Sequence, residues 1–108
     1  MKIGITNDHR GVTSKEYLVA YLTQMGHDVV NYGTNTTDAV DFPDYAYKLG
    51  KGVLNKEVDL GIAICGTGIG MSIALNKMKG IYCAKVSSVS EAILSRAHNN
   101  ANVIAISE

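Results

Sequence analysis

The chain of 108 residues has no tryptophan, one phenylalanine, one proline and two cysteines. Without tryptophan, the composition gives no sign of a carbohydrate-stacking surface. So few cysteines exclude a disulfide framework, and Cys65 and Cys83 are expected to be free thiols. Ten Lys and Arg balance ten Asp and Glu, with no block of either sign. The basic footprint of a nucleic-acid binder is therefore missing. No apolar run is long enough to span a membrane, and the N-terminus lacks the charged-then-apolar pattern of a signal peptide. A cytoplasmic protein with neither a nucleic-acid nor a membrane partner is expected. No repeat or linker divides the chain, so residues 1–108 read as one domain. Hydrophobic residues make up 46%, enough for a core without staples.

What the sequence does contain is an alternation. Short apolar strands are expected at Lys2–Thr6, from Val29-Val30, at Asp59–Ile64, at Ile81–Val86 and at Asn102–Ile106. Helices are expected between them. The first is capped by Thr13 or Ser14, has Glu16 in its first turn, and carries Tyr17, Leu18, Tyr21, Leu22 and Met25 at helical spacing up to Gly26. The second opens at Asp41-Phe42-Pro43-Asp44 and runs to about Leu54. The third runs from Gly68 to about Lys77, and the fourth from a Ser88 or Ser90 cap to about Ala97. Strands alternating with helices give an α/β fold, Rossmann-like in three layers, around a five-stranded parallel sheet. The nearly continuous apolar strands predict that both sheet faces are covered. Ligands of such sheets bind beyond the carboxyl ends of the strands. That rule directs attention to the polar segments after each strand.

The stretch after the third strand is Cys65-Gly66-Thr67-Gly68-Ile69-Gly70. A free cysteine is often a small core residue. Here it stands between a strand and a helix start, where amides and the helix dipole favour a thiolate that can act as nucleophile or base. The glycines make either a tight turn or a set of free amides for negative charge. Met71 stands where a Walker loop needs lysine and where a phosphatase loop needs arginine. The acidic residue of a dinucleotide site is also missing, so the open readings are a tight turn and amides that could stabilise an oxyanion. Asp8 and His9 follow the first strand at the ligand edge, with Arg10 beside them as a candidate phosphate contact. His98 could act as an acid or base. It precedes the fifth strand, however, and so lies at the opposite sheet edge from Cys65. A catalytic His98 must therefore come from a second subunit. Cys83 reads as core, His27 as surface, and Asn100 and Asn102 as turn residues.

The blocks Asn7-Asp8-His9-Arg10-Gly11, Asp41-Phe42-Pro43-Asp44, Cys65–Gly70, Asn76-Lys77 and His98-Asn99-Asn100-Ala101-Asn102-Val103 together resemble the type B ribose-5-phosphate isomerase family, which includes the galactose-6-phosphate isomerase subunits. The resemblance covers essentially the whole chain, in order. It implies a cofactor-free, metal-free aldose–ketose isomerase acting on a sugar phosphate, as a homodimer or tetramer with sites shared between subunits. It makes Cys65 the base that moves a proton between C1 and C2. The amides of Gly66, Thr67, Gly68, Ile69 and Gly70, with Asn99, would steady the cis-enediolate. Thr67 and the partner's His98 would assist ring opening. Asp8 would bind sugar hydroxyls and His9 would approach the phosphate. Phe42 stands where the family commonly has tyrosine, and Tyr82 where it commonly has arginine. The family's phosphate-clamping arginines, after the fifth strand and on a C-terminal helix, have no counterpart up to Glu108. The expected domain therefore lacks that helix; in a native chain Arg10 could replace the arginines or the substrate could carry no phosphate, and in a fragment phosphate affinity should be poor.

Overall fold

Five apolar segments pair into one sheet in the computed structural model, which describes residues 1–108. The strands are β1 (Lys2–Asn7), β2 (Asp28–Asn31), β3 (Leu60–Cys65), β4 (Cys83–Lys85) and β5 (Val103–Ser107). The helices between them are α1 (Val12–Gln24), α2 (Phe42–Leu54), α3 (Ile69–Asn76) and α4 (Val89–Ala97). Every strand pairing is parallel, as the alternation of elements predicts. The order across the sheet is β2-β1-β3-β5-β4, so the last strand in the chain lies inside the sheet.

Side-chain alternation along each strand assigns the two faces. Ala63 and Cys65 of β3, with Val103 and Ala105 of β5, join Ala46, Leu49 and Val53 of α2 and Met71, Ala74 and Leu75 of α3 in the buried core. Leu49 is fully buried at its centre. Truncating it to alanine would cost about 2–5 kcal/mol. The other face carries Ile3, Ile5, Ile62, Ile64, Ile104 and Ile106. The start of α1 covers Ile64, where a Cβ on Gly11 would lie 2.7 Å from the Ile64 Cγ2. The α4 side is open. Ile62, Ile104 and Ile106 stay half-buried, and an apolar groove of about 250 Å³ runs between the sheet and Ala92 and Arg96. The apolar strands alone point to cover on both faces, but they record what a strand can bury and not what lies over it. No helix is long and apolar enough to cross a membrane.

Two helix starts follow their signals. Asp41 is the N-cap residue of α2, with proline in the first turn, and Ser88 caps α4 through a bond from the Glu91 amide at 3.1 Å. The start of α1 does not. Its N-cap residue is Gly11, not Thr13 or Ser14, and its first turn contains no acidic residue. The close approach of Gly11 to Ile64 fixes where the helix begins, ahead of any hydroxyl cap. The apolar stripe of α1 also differs from expectation. Tyr17, Tyr21 and Met25 face solvent, while Val12 and Lys15 are buried. His27 is half-buried rather than on the surface, and its Nδ1 has no partner.

Candidate active site

Strands β1 and β3 are neighbours, but their following helices lead to opposite sides of the sheet. This is the topological switch point, where open parallel sheets form a ligand crevice. The carboxyl ends that meet there carry Asp8-His9-Arg10 and Cys65–Gly70. The Asp8 amide continues the ladder by donating to the Ile64 carbonyl at 3.2 Å, which brings the two segments side by side.

Cys65 is the last residue of β3, one position deeper than the sequence suggests, and lies opposite Ser107. It is 6% exposed and belongs to the buried core. Its Sγ accepts a hydrogen bond from the Gly68 amide at 3.2 Å. The cysteine thus packs as a core residue, the reading its position argued against, while its sulfur faces the glycine turn. Gly68 has φ of +81°, and a Cβ there would lie 3.0 Å from the backbone carbon of Ile106. Only glycine meets both demands, left-handed backbone and close approach to β5. The next amide, of Ile69, is taken by Thr67 Oγ1 at 3.1 Å. Two amides of the turn thus have internal acceptors. The amides of Gly66, Thr67 and Gly70, with that of Met71 in the first helical turn, have no acceptor within the chain. Gly70 packs beneath the Phe42 ring, where a Cβ would approach to 2.9 Å. Phe42 thus fills this place with ring surface and offers no hydroxyl.

Asp8 is buried, and its Oδ1 accepts from the Arg10 amide at 2.8 Å, a turn that leaves Oδ2 outside this bond. His9 Nδ1 accepts from the Val40 amide at 3.2 Å. The neutral imidazole must then carry its proton on Nε2, which makes Nε2 a donor. The Arg10 guanidinium lies beside Gly66, 3.6 Å from where a Cβ would stand. It pairs with both Glu108 oxygens, at 2.5 and 3.3 Å. That hydrogen bond and charge raise the Arg10 pKa further above its ordinary value.

His98 and Asn99 are not brought to this edge. His98 ends α4 and both residues precede β5, whose far end, Ser107, pairs with Cys65. Along β5 the separation is about 13 Å at 3.3 Å per residue. Asn99 instead lines a shallow cavity of about 400 Å³ with Asn76, Tyr82 and Cys83. No cavity of the single chain contains Cys65. Cys83 packs against the core as expected, and burial pushes its thiol up to about 12. Asn100 takes left-handed backbone, and Asn102 clamps Gly80 and Tyr82, as turn residues do. Sequence reasoning missed two contributors at this edge. Val40 offers only its backbone, which no side-chain pattern reveals. Lys15 looks like a surface residue on a helix and is buried.

The chain and its backbone have counterparts among known proteins. The family model described as Ribose/Galactose Isomerase matches residues 3–108. Ribose-5-phosphate isomerase B of Escherichia coli is 44% identical over 104 residues, spanning 96% of this chain and 70% of that protein. A putative sugar phosphate isomerase of Bacillus subtilis is 40% identical over 109 residues, spanning all of this chain and 73% of that protein. Among solved structures, ribose-5-phosphate isomerase B of Clostridium thermocellum superposes with a TM-score of 0.98 at 44% identity, over all of this chain and 73% of that one. The corresponding enzyme of Thermotoga maritima gives 0.93 at 45%, over 95% of this chain and 71% of that one. With one continuous match over nearly every residue and the same backbone, the chain belongs to the ribose/galactose isomerase family.

Proposed function

We propose that the protein interconverts ribose 5-phosphate and ribulose 5-phosphate by proton transfer at Cys65. The observation that carries this reading is the Cys65 sulfur, held by the Gly68 amide at the switch point, beside Asp8, His9 and Arg10. A thiolate at that position takes the proton from C2 of the open aldose. The electrons of the C–H bond move into a C1–C2 double bond, and the aldehyde oxygen becomes the enediolate oxygen. Amides of Gly66, Thr67 and Gly70 are in place to stabilise that charge. Cys65 returns the proton to C1, while the hydroxyl proton on O2 passes to O1, giving the ketose. No atom is gained or lost. A site close to the sheet core keeps water from competing for the enediolate.

Asp8 Oδ2 is suited to accept from sugar hydroxyls. His9 Nε2–H and Arg10 are suited to the phosphate, which must displace the Glu108 carboxylate. His98 and Asn99 then serve the site of a second copy. Two features support a composite site: within one chain these residues lie at the wrong edge, and no single-chain cavity holds Cys65. An exposed apolar surface for a second copy is present as well. Ile69 and Ile73 of α3 lie one turn apart, 54% and 56% exposed, and Tyr82 is 60% exposed.

The test is conversion of ribose 5-phosphate by the wild-type chain beside Cys65→Ala. The wild type should turn over and the variant should not, while both give the same circular dichroism spectrum. Turnover retained in Cys65→Ala would remove the base assignment. Turnover of allose 6-phosphate or galactose 6-phosphate, and not of ribose 5-phosphate, would keep the chemistry and change the substrate. The absence of any turnover with an intact fold would favour a sugar-phosphate-binding module.

A further inference from the structure

Lys15 is the one long charged side chain buried in the fold, at 2% exposure. Its ammonium donates to the Thr34 carbonyl at 2.7 Å and to Asn35 Oδ1 at 2.6 Å. Both acceptors are neutral, and no carboxylate pairs with it. Burial accordingly lowers its pKa from the ordinary lysine value. The Glu16 charge acts in the opposite, raising sense by less, and no carboxylate bonds the ammonium. A buried charge without a bonded partner of opposite sign is costly, and an apolar side chain of the same length would fill the space more cheaply. Filling space therefore does not explain a lysine here.

What the ammonium holds does explain it. No helix or strand forms between Asn31 and Phe42; backbone bonds from the Tyr32 and Thr34 amides to β1 hold its start, and side-chain anchors hold it further. Lys15 supplies two of them. Asn7 supplies another, through Nδ2 to the Thr34 carbonyl at 3.0 Å, and the same Nδ2 bonds the Asp8 carbonyl at 2.8 Å. At the other end of the segment, the Val40 amide donates to His9 Nδ1. The chain of contacts runs from Lys15 through the 34–40 loop to the imidazole at the sheet edge.

We infer that Lys15 is a positioning residue for the candidate active site: its buried ammonium pins the 34–40 loop, and the loop fixes the orientation and tautomer of His9. The inference builds on the reading that His9 meets the phosphate of the substrate, but its first readout needs no substrate. In nitrogen-15 NMR of the wild type, His9 should show an unprotonated Nδ1 and a protonated Nε2, with His9→Gln used for assignment. In Lys15→Met, which keeps the length of the side chain and loses the charge, that signature should give way to mixed tautomers. The KM for ribose 5-phosphate should rise about tenfold, as expected for a weakened contact to a charged group, with kcat little changed.

Asn35 is exposed, so Asn35→Ala keeps the test open if Lys15→Met does not fold. It removes one of the two anchors and should move His9 the same way by less. An unchanged His9 signature in folded Lys15→Met overturns the inference, and so does an unchanged signature in Asn35→Ala when Lys15→Met is unfolded. A loss of thermal stability with KM and the His9 signals unmoved would make Lys15 purely structural. Should the wild type fail to convert ribose 5-phosphate, the proposed function falls, while the His9 signature still decides the role of Lys15.

Discussion

Replacing Gly68 by alanine should damage both stability and turnover, and by calculable amounts. The residue has φ of +81°, and left-handed backbone costs an L-residue about 1–2 kcal/mol. The new Cβ would also lie 3.0 Å from the carbonyl carbon of Ile106 and 3.2 Å from its Cα and N. Those atoms belong to β5, where Ile106 pairs with Ile64 of β3 next to residues paired on both sides, so they cannot retreat cheaply. Relieving such a contact adds about 1–2 kcal/mol, in the range of core overpacking. The sum, about 2–4 kcal/mol, should lower Tm by roughly 10–20 °C in a domain of this size.

Turnover should fall separately. The Gly68 amide is the donor to Cys65 Sγ at 3.2 Å, and a turn displaced from β5 carries that donor away. A hydrogen bond to a charged group contributes about 1.5–3 kcal/mol. Its loss corresponds to roughly ten- to hundredfold in kcat. The assays are urea denaturation followed by circular dichroism, and steady-state isomerisation below the melting range. Gly66→Ala is the control, since its Cβ would meet only the flexible Arg10 guanidinium at 3.6 Å. It should change stability by less than about 0.5 kcal/mol. If Gly68→Ala is as stable as Gly66→Ala, the account of the turn is wrong. If its kcat is unchanged, the Gly68 amide does not serve Cys65.

Glu108→Gln frees Arg10 from its carboxylate partner and should lower KM for a sugar phosphate by a few-fold, whereas Arg10→Gln should raise it; the pair is exposed, so both effects should shrink in high salt. An Arg10→Gln enzyme with wild-type KM would remove Arg10 from the phosphate site. Mixing Cys65→Ala with His98→Gln should restore activity to about a quarter of wild type, because half of the random dimers are mixed and each has one intact composite site; two inactive proteins that stay inactive after subunit exchange would refute sites shared between copies. Alkaline pH should destabilise the fold. Burial raises Cys83 from 9.0 to about 12. Burial, followed by the bond to Glu57, raises Tyr32 from 10.0 to about 12. In both cases the folded state holds the proton more tightly. Their stabilisation is complete below the unfolded pKa and is lost as pH rises through the folded one. The urea midpoint should begin to fall above about pH 9, and Cys83→Ala should remove the earlier part of that fall. A midpoint flat up to about pH 11 would contradict the burial of both groups.

The sequence by itself determined the order of elements, the parallel sheet and the edge at which the candidate site lies. Those follow from local rules: period-two and helical apolar spacing, proline beside Asp41, a serine cap at Ser88, and glycines where a strand turns sharply into a helix. It also implied that His98 and Cys65 lie at opposite edges, because chain direction in a parallel sheet is enough to say so. Tertiary structure alone decided that β5 inserts between β3 and β4, since strand order depends on long-range pairing that leaves no local mark. It decided which side of α1 is buried. Tyr17, Leu18, Tyr21, Leu22 and Met25 offer a plausible stripe, yet the contact of Gly11 with Ile64 sets the rotation of the helix and turns both tyrosines outward. It decided that two amides of the glycine turn are spent on Cys65 and Thr67, a matter of angles within one loop. And it decided that Lys15 is interior. Composition assigns a lysine to solvent because burying a charge is costly. Only the folded loop supplies the Thr34 carbonyl and the Asn35 amide oxygen that offset that cost.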